Sequence, residues 1–239
     1  MNKNVLILGA SSDIGIELIK LFLKENYLIT AHCNSNDKVL MNNFKEYKKI
    51  KIVKKNFLNL NNQNLKKFCK DKLNQKFSIF INLTGYMAKK TYLNSDLNSQ
   101  IASIKINALI PSLILKNIVK EMIKNGYGRI LNCSSIGVKF GGGLNSYNYS
   151  LSKHTSEFIP SYFKKLAEKN ILYNNLRIGF TDTKIHKKIK NIKKQKKRIK
   201  LIPINRYAQK KEIAEYIHFL VSKKNSYMTN QTVTASGGE

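Results

Sequence analysis

Tyr149 and Lys153 stand four residues apart in the run Tyr149-Ser-Leu-Ser-Lys153. On a helix that spacing puts both on one face, phenol beside ammonium. A neighbouring ammonium favours the phenolate and draws a tyrosine down from about 10, toward proton transfer near neutrality. The spacing alone is common and equally describes a surface tyrosine with a solvated lysine. Its surroundings sharpen it. Ser134 and Ser135 end the preceding β-rich run, and a hydroxyl at a strand's carboxyl end can hold a carbonyl oxygen. Nearer the N-terminus, Gly9-Ala-Ser-Ser-Asp-Ile-Gly15 separates an apolar run from an amphipathic one. A glycine turn there lets backbone amides and a helix N-terminus approach an anionic pyrophosphate.

These groups need elements to hold them. The apolar pattern predicts strands over 3–8, 27–33, 50–53, 78–82, 129–133, 172–178 and about 231–235. Helical spacing falls between them: 14–24, 38–47, 65–73, a long stretch over 96–124, then 147–169 and 211–222. Strands alternating with helices at this cadence imply right-handed βαβ units. The expected fold is α/β: a Rossmann-type doubly wound parallel sheet of about seven strands, with helices on both faces. No linker rich in Pro, Gly or Ser interrupts the chain and no repeat recurs, so residues 1–239 read as one domain.

Length and composition bound the rest. A chain of 239 residues, 42% hydrophobic, can fill one sizeable core. Cys33, Cys69 and Cys133 are too few and scattered for a disulfide scaffold or a zinc site. His32, His154, His186 and His218 lack metal-ligand spacing, so each reads as structural or solvated and no metal is expected. No apolar run approaches a bilayer span, and Val5–Ala10 is too short for a signal-peptide core. A reduced, cytoplasmic protein without membrane attachment is the expectation. The formal charge of +29 invites a nucleic-acid reading, but only four of the 43 cations are arginine. Phosphate and base recognition favours arginine's bidentate fork, so the lysines read as surface drift and nucleic acid as an improbable partner.

In order along the chain, these residues resemble a short-chain dehydrogenase/reductase. Gly9, Ser11, Ser12, Asp13, Ile14 and Gly15 resemble the family's cofactor turn. Asn56-Phe57 falls where the family holds the adenine, and Asn82-Leu-Thr84-Gly85 resembles the element after its fourth strand. Asn107, followed by Pro111, falls at the family's helical asparagine. Gly128 to Ser135 resembles the catalytic-serine strand, Tyr149 and Lys153 the catalytic pair, and Arg177 to Thr183 the segment over the nicotinamide. Ser226–Gln231 and Ser236–Gly238 resemble the C-terminal signature. Four positions depart: Leu8 for a usual threonine, Asp13 and Asn230 for glycines, and Ile178 for a proline. Asp is a good helix N-cap, and Asn adopts left-handed turns.

The resemblance implies hydride exchange between a nicotinamide and a ketone or secondary alcohol. Tyr149 would give the proton, Lys153 would lower its pKa and hold the ribose, and Ser135, with Ser134 as alternative, would orient the carbonyl. Asn107 would support a proton relay, and Gly179, Thr181 and Thr183 would close over the nicotinamide. No carboxylate follows the second strand before Asp37, while Asn34 and Ser35 suit a 2′-phosphate, so NADP(H) is expected ahead of NAD(H). The chain resembles in particular the populous soluble subgroup of 3-oxoacyl-carrier-protein reductases, and the family resemblance implies a homotetramer or dimer. A dehydrogenase of a sugar or surface-polysaccharide precursor is the alternative enzyme. A nucleic-acid-binding or regulatory module without turnover is the alternative of another class. Residues 181–205 read as a substrate lid. Ten cations between Lys184 and Lys200, with no acid, suit an anionic or carrier-bound substrate or are drift.

Overall fold

Along the first strand Val5 and Ile7 face one way, Leu6 and Leu8 the other, so a single strand feeds two apolar layers. The computed structural model describes residues 3–184 and 197–239. Seven strands form one sheet: β1 (Asn4–Leu8), β2 (Leu28–Cys33), β3 (Ile50–Lys54), β4 (Ile79–Asn82), β5 (Gly128–Ser135), β6 (Ile171–Ile178) and β7 (Thr232–Ala235). All neighbours are parallel, in the order β3-β2-β1-β4-β5-β6-β7. The chain reverses its winding between β1 and β4, which is where sheets of this kind bind ligands.

Helices α1 (Asp13–Lys24) and α2 (Lys38–Phe44) share one layer with the late helix Lys210–Val221, through Leu18, Phe22, Leu40 and Ile217. The opposite layer holds α3 (Asn62–Lys72), and beyond α4 (Leu97–Ile104) it holds α5 (Ile110–Asn125). Further along lie α6 (Tyr147–Ser156), α7 (Tyr162–Leu166) and α8, the late helix just named. Phe68, Ile114, Ile118, Met122 and Phe163 form that second core with Leu6 and Phe80.

Three expected helices differ. The long one over 96–124 is interrupted by a π turn, Lys105–Leu109, because Pro111 has no N–H for the carbonyl of Asn107. The one over 147–169 stops at Ser156 and resumes only as α7, since Pro160 also bars its predecessor from helical geometry. The helix expected over 38–47 ends at Phe44, and the N–H of Tyr47 closes a turn onto the Phe44 carbonyl. Contrary to the expectation for membrane spans, Leu97–Asn125 is long and apolar enough to cross one; nearly half of its apolar window is buried inside the protein. Of the expected lid, residues 185–196 lie outside the described residues, and with them His186 and most of the lysines.

Candidate active site

At the winding reversal, β1 runs into the glycine turn. Gly9 has φ +75°, and a Cβ there would lie 2.7 Å from the Leu83 carbonyl oxygen at the end of β4. A Cβ on Gly15 would come within 2.4 Å of the Ala10 carbonyl oxygen. Both glycines are therefore required by close backbone approach. The N-cap of α1 is Ser12, whose Oγ accepts the Gly15 N–H at 3.1 Å. Asp13, expected as the cap, occupies the first turn instead. Its carboxylate accepts the N–H of Lys184 at 2.7 Å, tying the turn to the segment after Thr183. Ser11 and Ile14 complete the turn, with Ile14 packed against the core.

His32 was read as structural or solvated, and the structure gives it a definite task. Its Nδ1 accepts the Gly9 N–H at 3.3 Å, while Nε2 lies 2.8 Å from the Lys55 carbonyl oxygen and so carries the proton. The ring stacks on Phe57, 4.2 Å between centroids at 9°. Burial holds the imidazole down at about 4, so it stays neutral. Phe57 is thus a buried core residue, and Asn56 folds into a turn, its Oδ1 accepting the Leu58 N–H. Asn34 and Ser35 lie exposed beyond β2.

On the other side of the reversal, β5 ends in Ser135 and α6 presents Tyr149 and Lys153. The Ser135 side chain sits against the Tyr149 phenol and favours its phenolate, while Ser135 Oγ accepts the Gly137 N–H at 3.1 Å. Ser134, the alternative, is buried, with no hydrogen-bond partner for its Oγ among the described residues. Lys153 is 2% exposed, and its Nζ donates to the carbonyls of Thr84 and Cys133, each at 2.6 Å. It lies 5.7 Å from the centre of the Tyr149 ring.

The expectation that Lys153 draws the tyrosine down is not met in this arrangement. Burial dominates and pushes Tyr149 up to about 12, with the Ser135 side chain working against it. Burial also lowers Lys153 to about 8, against the opposing pull of Cys133 and Glu157. At neutral pH the phenol is therefore protonated and the lysine still largely an ammonium.

Asn107, in the π turn, is fully buried, and its side chain is committed to structure. Its Nδ2 donates to the Tyr86 carbonyl and to Ser152 Oγ, and its Oδ1 accepts the Tyr86 N–H, all at 2.8 Å. The carbonyl freed by Pro111 accepts from Asn82 Nδ2 at 3.2 Å. Asn82 is equally enclosed, its Oδ1 taking both the N–H and the hydroxyl of Thr84. Gly85 follows in the open. Gly179 packs against Ser236, where a Cβ would lie 2.6 Å from Cα. Buried Thr181 bonds back to the Gly179 carbonyl, and Thr183 to that of Thr181. The sequence reading missed Asn132, Asn175 and Glu157; the first two are buried polar residues in strands, which is the signal that was available.

The glycine cradle, the neutral histidine behind it and the Tyr–Lys helix across the switch point fit a nicotinamide dinucleotide. Fold and site together define a dinucleotide-binding oxidoreductase of the Rossmann type. A family model described as enoyl-(acyl carrier protein) reductase matches residues 57–239. The 3-oxoacyl-acyl-carrier-protein reductase FabG of Buchnera aphidicola subsp. Schizaphis graminum is 30% identical over 99% of this chain and 87% of its own. That of Aquifex aeolicus is 33% identical over 67% of this chain and 64% of its own, just under two thirds. Among solved structures, 4-hydroxyisoleucine dehydrogenase complexed with NADH superposes with TM-score 0.88 over 99% of this chain and 98% of that one, at 21% identity. At that identity the likeness speaks for the fold alone. The chain belongs to the short-chain dehydrogenase/reductase family, whose members are NAD(P)-dependent oxidoreductases.

Proposed function

We propose that the protein reduces a ketone to a secondary alcohol with NADPH, as a 3-oxoacyl-acyl-carrier-protein reductase or a close equivalent. The observation that carries this is the placement of the Tyr149 phenol against Ser135 and one helical turn from Lys153, whose buried Nζ is fixed by the carbonyls of Thr84 and Cys133. When bound, the nicotinamide supplies the hydride. Ser135 holds the carbonyl oxygen, and Tyr149 donates its proton to that oxygen as negative charge develops. A phenol at about 12 keeps its proton until the alkoxide needs it. The Lys153 ammonium then faces the phenolate and, with its remaining hydrogen-bonding capacity, the ribose hydroxyls. Asn107 acts by fixing Tyr86 and Ser152, and through Ser152 the middle of α6.

Exposed Asn34 and Ser35, with no acid before Asp37, support NADPH over NADH. The substrate is a ketone, carrier-bound or otherwise anionic. The protein works in the cytoplasm as one domain per chain, assembled as a dimer or tetramer. An exposed apolar row along the long helix, Leu97, Ile101, Leu109 and Leu113, supports that assembly.

The test is loss of NADPH absorbance over a panel of 3-oxoacyl thioesters and simple ketones, with Tyr149→Phe alongside. The variant should lose roughly a hundredfold or more in kcat while binding NADPH nearly as well. A variant retaining over about a tenth of the rate would remove Tyr149 as the acid, since general acids contribute far more than that.

A further inference from the structure

We propose that Asn132 and Asn175 are positioning residues for Lys153, acting through a continuous chain of buried amides that joins the two ends of its grip. Asn82, Asn132, Asn175 and Thr232 are register partners on β4, β5, β6 and β7, so their side chains line up across four strands. Asn82 Nδ2 donates to Asn132 Oδ1 at 2.8 Å, and Asn132 Nδ2 donates to Asn175 Oδ1 at 3.3 Å. Asn175 Nδ2 donates to Thr232 Oγ1 at 3.0 Å.

The direction of this chain is forced. At one end Asn82 Oδ1 meets the Thr84 N–H, which can only donate. At the other, Asn132 Nδ2 meets the Ser156 carbonyl at 2.8 Å and Asn175 Nδ2 the Glu157 carbonyl at 2.7 Å, which can only accept. Flipping any one amide would set like against like along the whole row.

Both ends lead to Lys153. The Thr84 residue that Asn82 fixes offers its carbonyl to Lys153 Nζ. Ser156, which Asn132 fixes, donates its hydroxyl to the Lys153 carbonyl at 2.8 Å. The lysine is thus held at head and backbone by one network. The need for it lies in the sequence. Pro160 ends α6 within a turn of Lys153, leaving the last carbonyls of the helix without partners of their own, and Asn132 and Asn175 supply them. Glu157 is further pinned by Arg177, with two contacts of 2.8 and 2.6 Å.

The role in the reaction rests on the function proposed above, but the positioning can be measured without cofactor or substrate. The protein is labelled with 13C at lysine Cε and titrated by NMR. The Lys153 resonance is assigned by its absence in Lys153→Arg, and its midpoint is expected near 8, below that of an ordinary lysine. The charged and titratable groups around it are Cys133 on β5, Tyr149 on its own helix, Glu157 capping that helix, and Arg177 on β6 facing Glu157. None is altered in the tests. Asn175→Leu keeps size but removes the donor to Glu157. It should loosen the end of α6, admit water and raise the Lys153 midpoint by about one pH unit toward its ordinary value. Asn175→Ser, too short to reach the Glu157 carbonyl, carries the same expectation if the leucine variant does not fold. Thr232→Val removes only the outer end of the row and should leave the midpoint in place. A midpoint unmoved by Asn175→Leu or Asn175→Ser, or moved as far by Thr232→Val, overturns the proposal. Absence of NAD(P)H-dependent turnover would instead overturn the proposed function and leave this midpoint standing. With turnover established, kcat in the Asn175 variants should fall about tenfold or more, because small misplacement of a catalytic group is costly.

Discussion

Acid should unfold this protein partly through His32, and the size of the effect follows from its surroundings. The imidazole is buried against Phe57 and both its nitrogens are occupied, so in the folded chain it resists protonation down to about 4. In the unfolded chain it protonates near 6.5. The folded pKa is depressed, so between those values the unfolded state binds the proton and the folded state does not. Stability is complete above about 6.5 and declines as pH falls toward 4. At 1.36 kcal/mol per pH unit, that interval corresponds to a loss of about 3 kcal/mol, a large part of a typical domain's stability.

Carboxylates titrate in the same range, so the measurement is a difference between wild type and His32→Phe in urea melts from pH 7.5 to 4.5. Phenylalanine keeps the stack but orphans the Gly9 N–H and the Lys55 carbonyl. At neutral pH the variant should be less stable by about 2–6 kcal/mol, from two buried groups at about 1–3 each. That deficit should shrink by up to about 3 kcal/mol toward pH 4, as wild type alone loses the contribution of the neutral histidine. Two curves that stay parallel would refute the reasoning, because the pH-dependent part belongs to His32 or to nothing nearby.

Gly15→Ala forces a Cβ to within 2.4 Å of the Ala10 carbonyl oxygen, so NADPH affinity measured by fluorescence should fall about tenfold or more and thermal stability with it. Asn34→Asp places a carboxylate where a 2′-phosphate would lie; kcat/KM measured with both cofactors should shift toward NADH, and an unchanged ratio would remove the NADPH preference. If the cations between Lys184 and Lys200 steer an anionic substrate, kcat/KM should fall with ionic strength for a charged ketone and hold for a neutral analogue. Equal slopes would return those lysines to surface drift.

Tyr149 and Lys153 could be paired from the sequence because helical spacing is local: four residues along the chain become one face whatever surrounds them. Strand alternation, as in Val5 to Leu8, likewise shows two buried layers before any packing is known. Pro111 and Pro160 were equally visible, yet their consequences were not, because what a proline breaks depends on which group takes the orphaned carbonyl. Asn82 takes one of these across 25 residues, and Asn132 takes the other, on Ser156, from β5, while Asn175 takes the next carbonyl, on Glu157, from β6. The partner of Asp13 is 171 residues away, and His32 meets Gly9 only through the pairing of β1 with β2. The Tyr149 pKa was misjudged for the same reason: charge proximity can be read from spacing, but desolvation depends on everything packed around the group. Local periodicity determined the elements and the Tyr149–Lys153 pair. Packing of distant strands, loops and helices decided how the pair is held and in which protonation state.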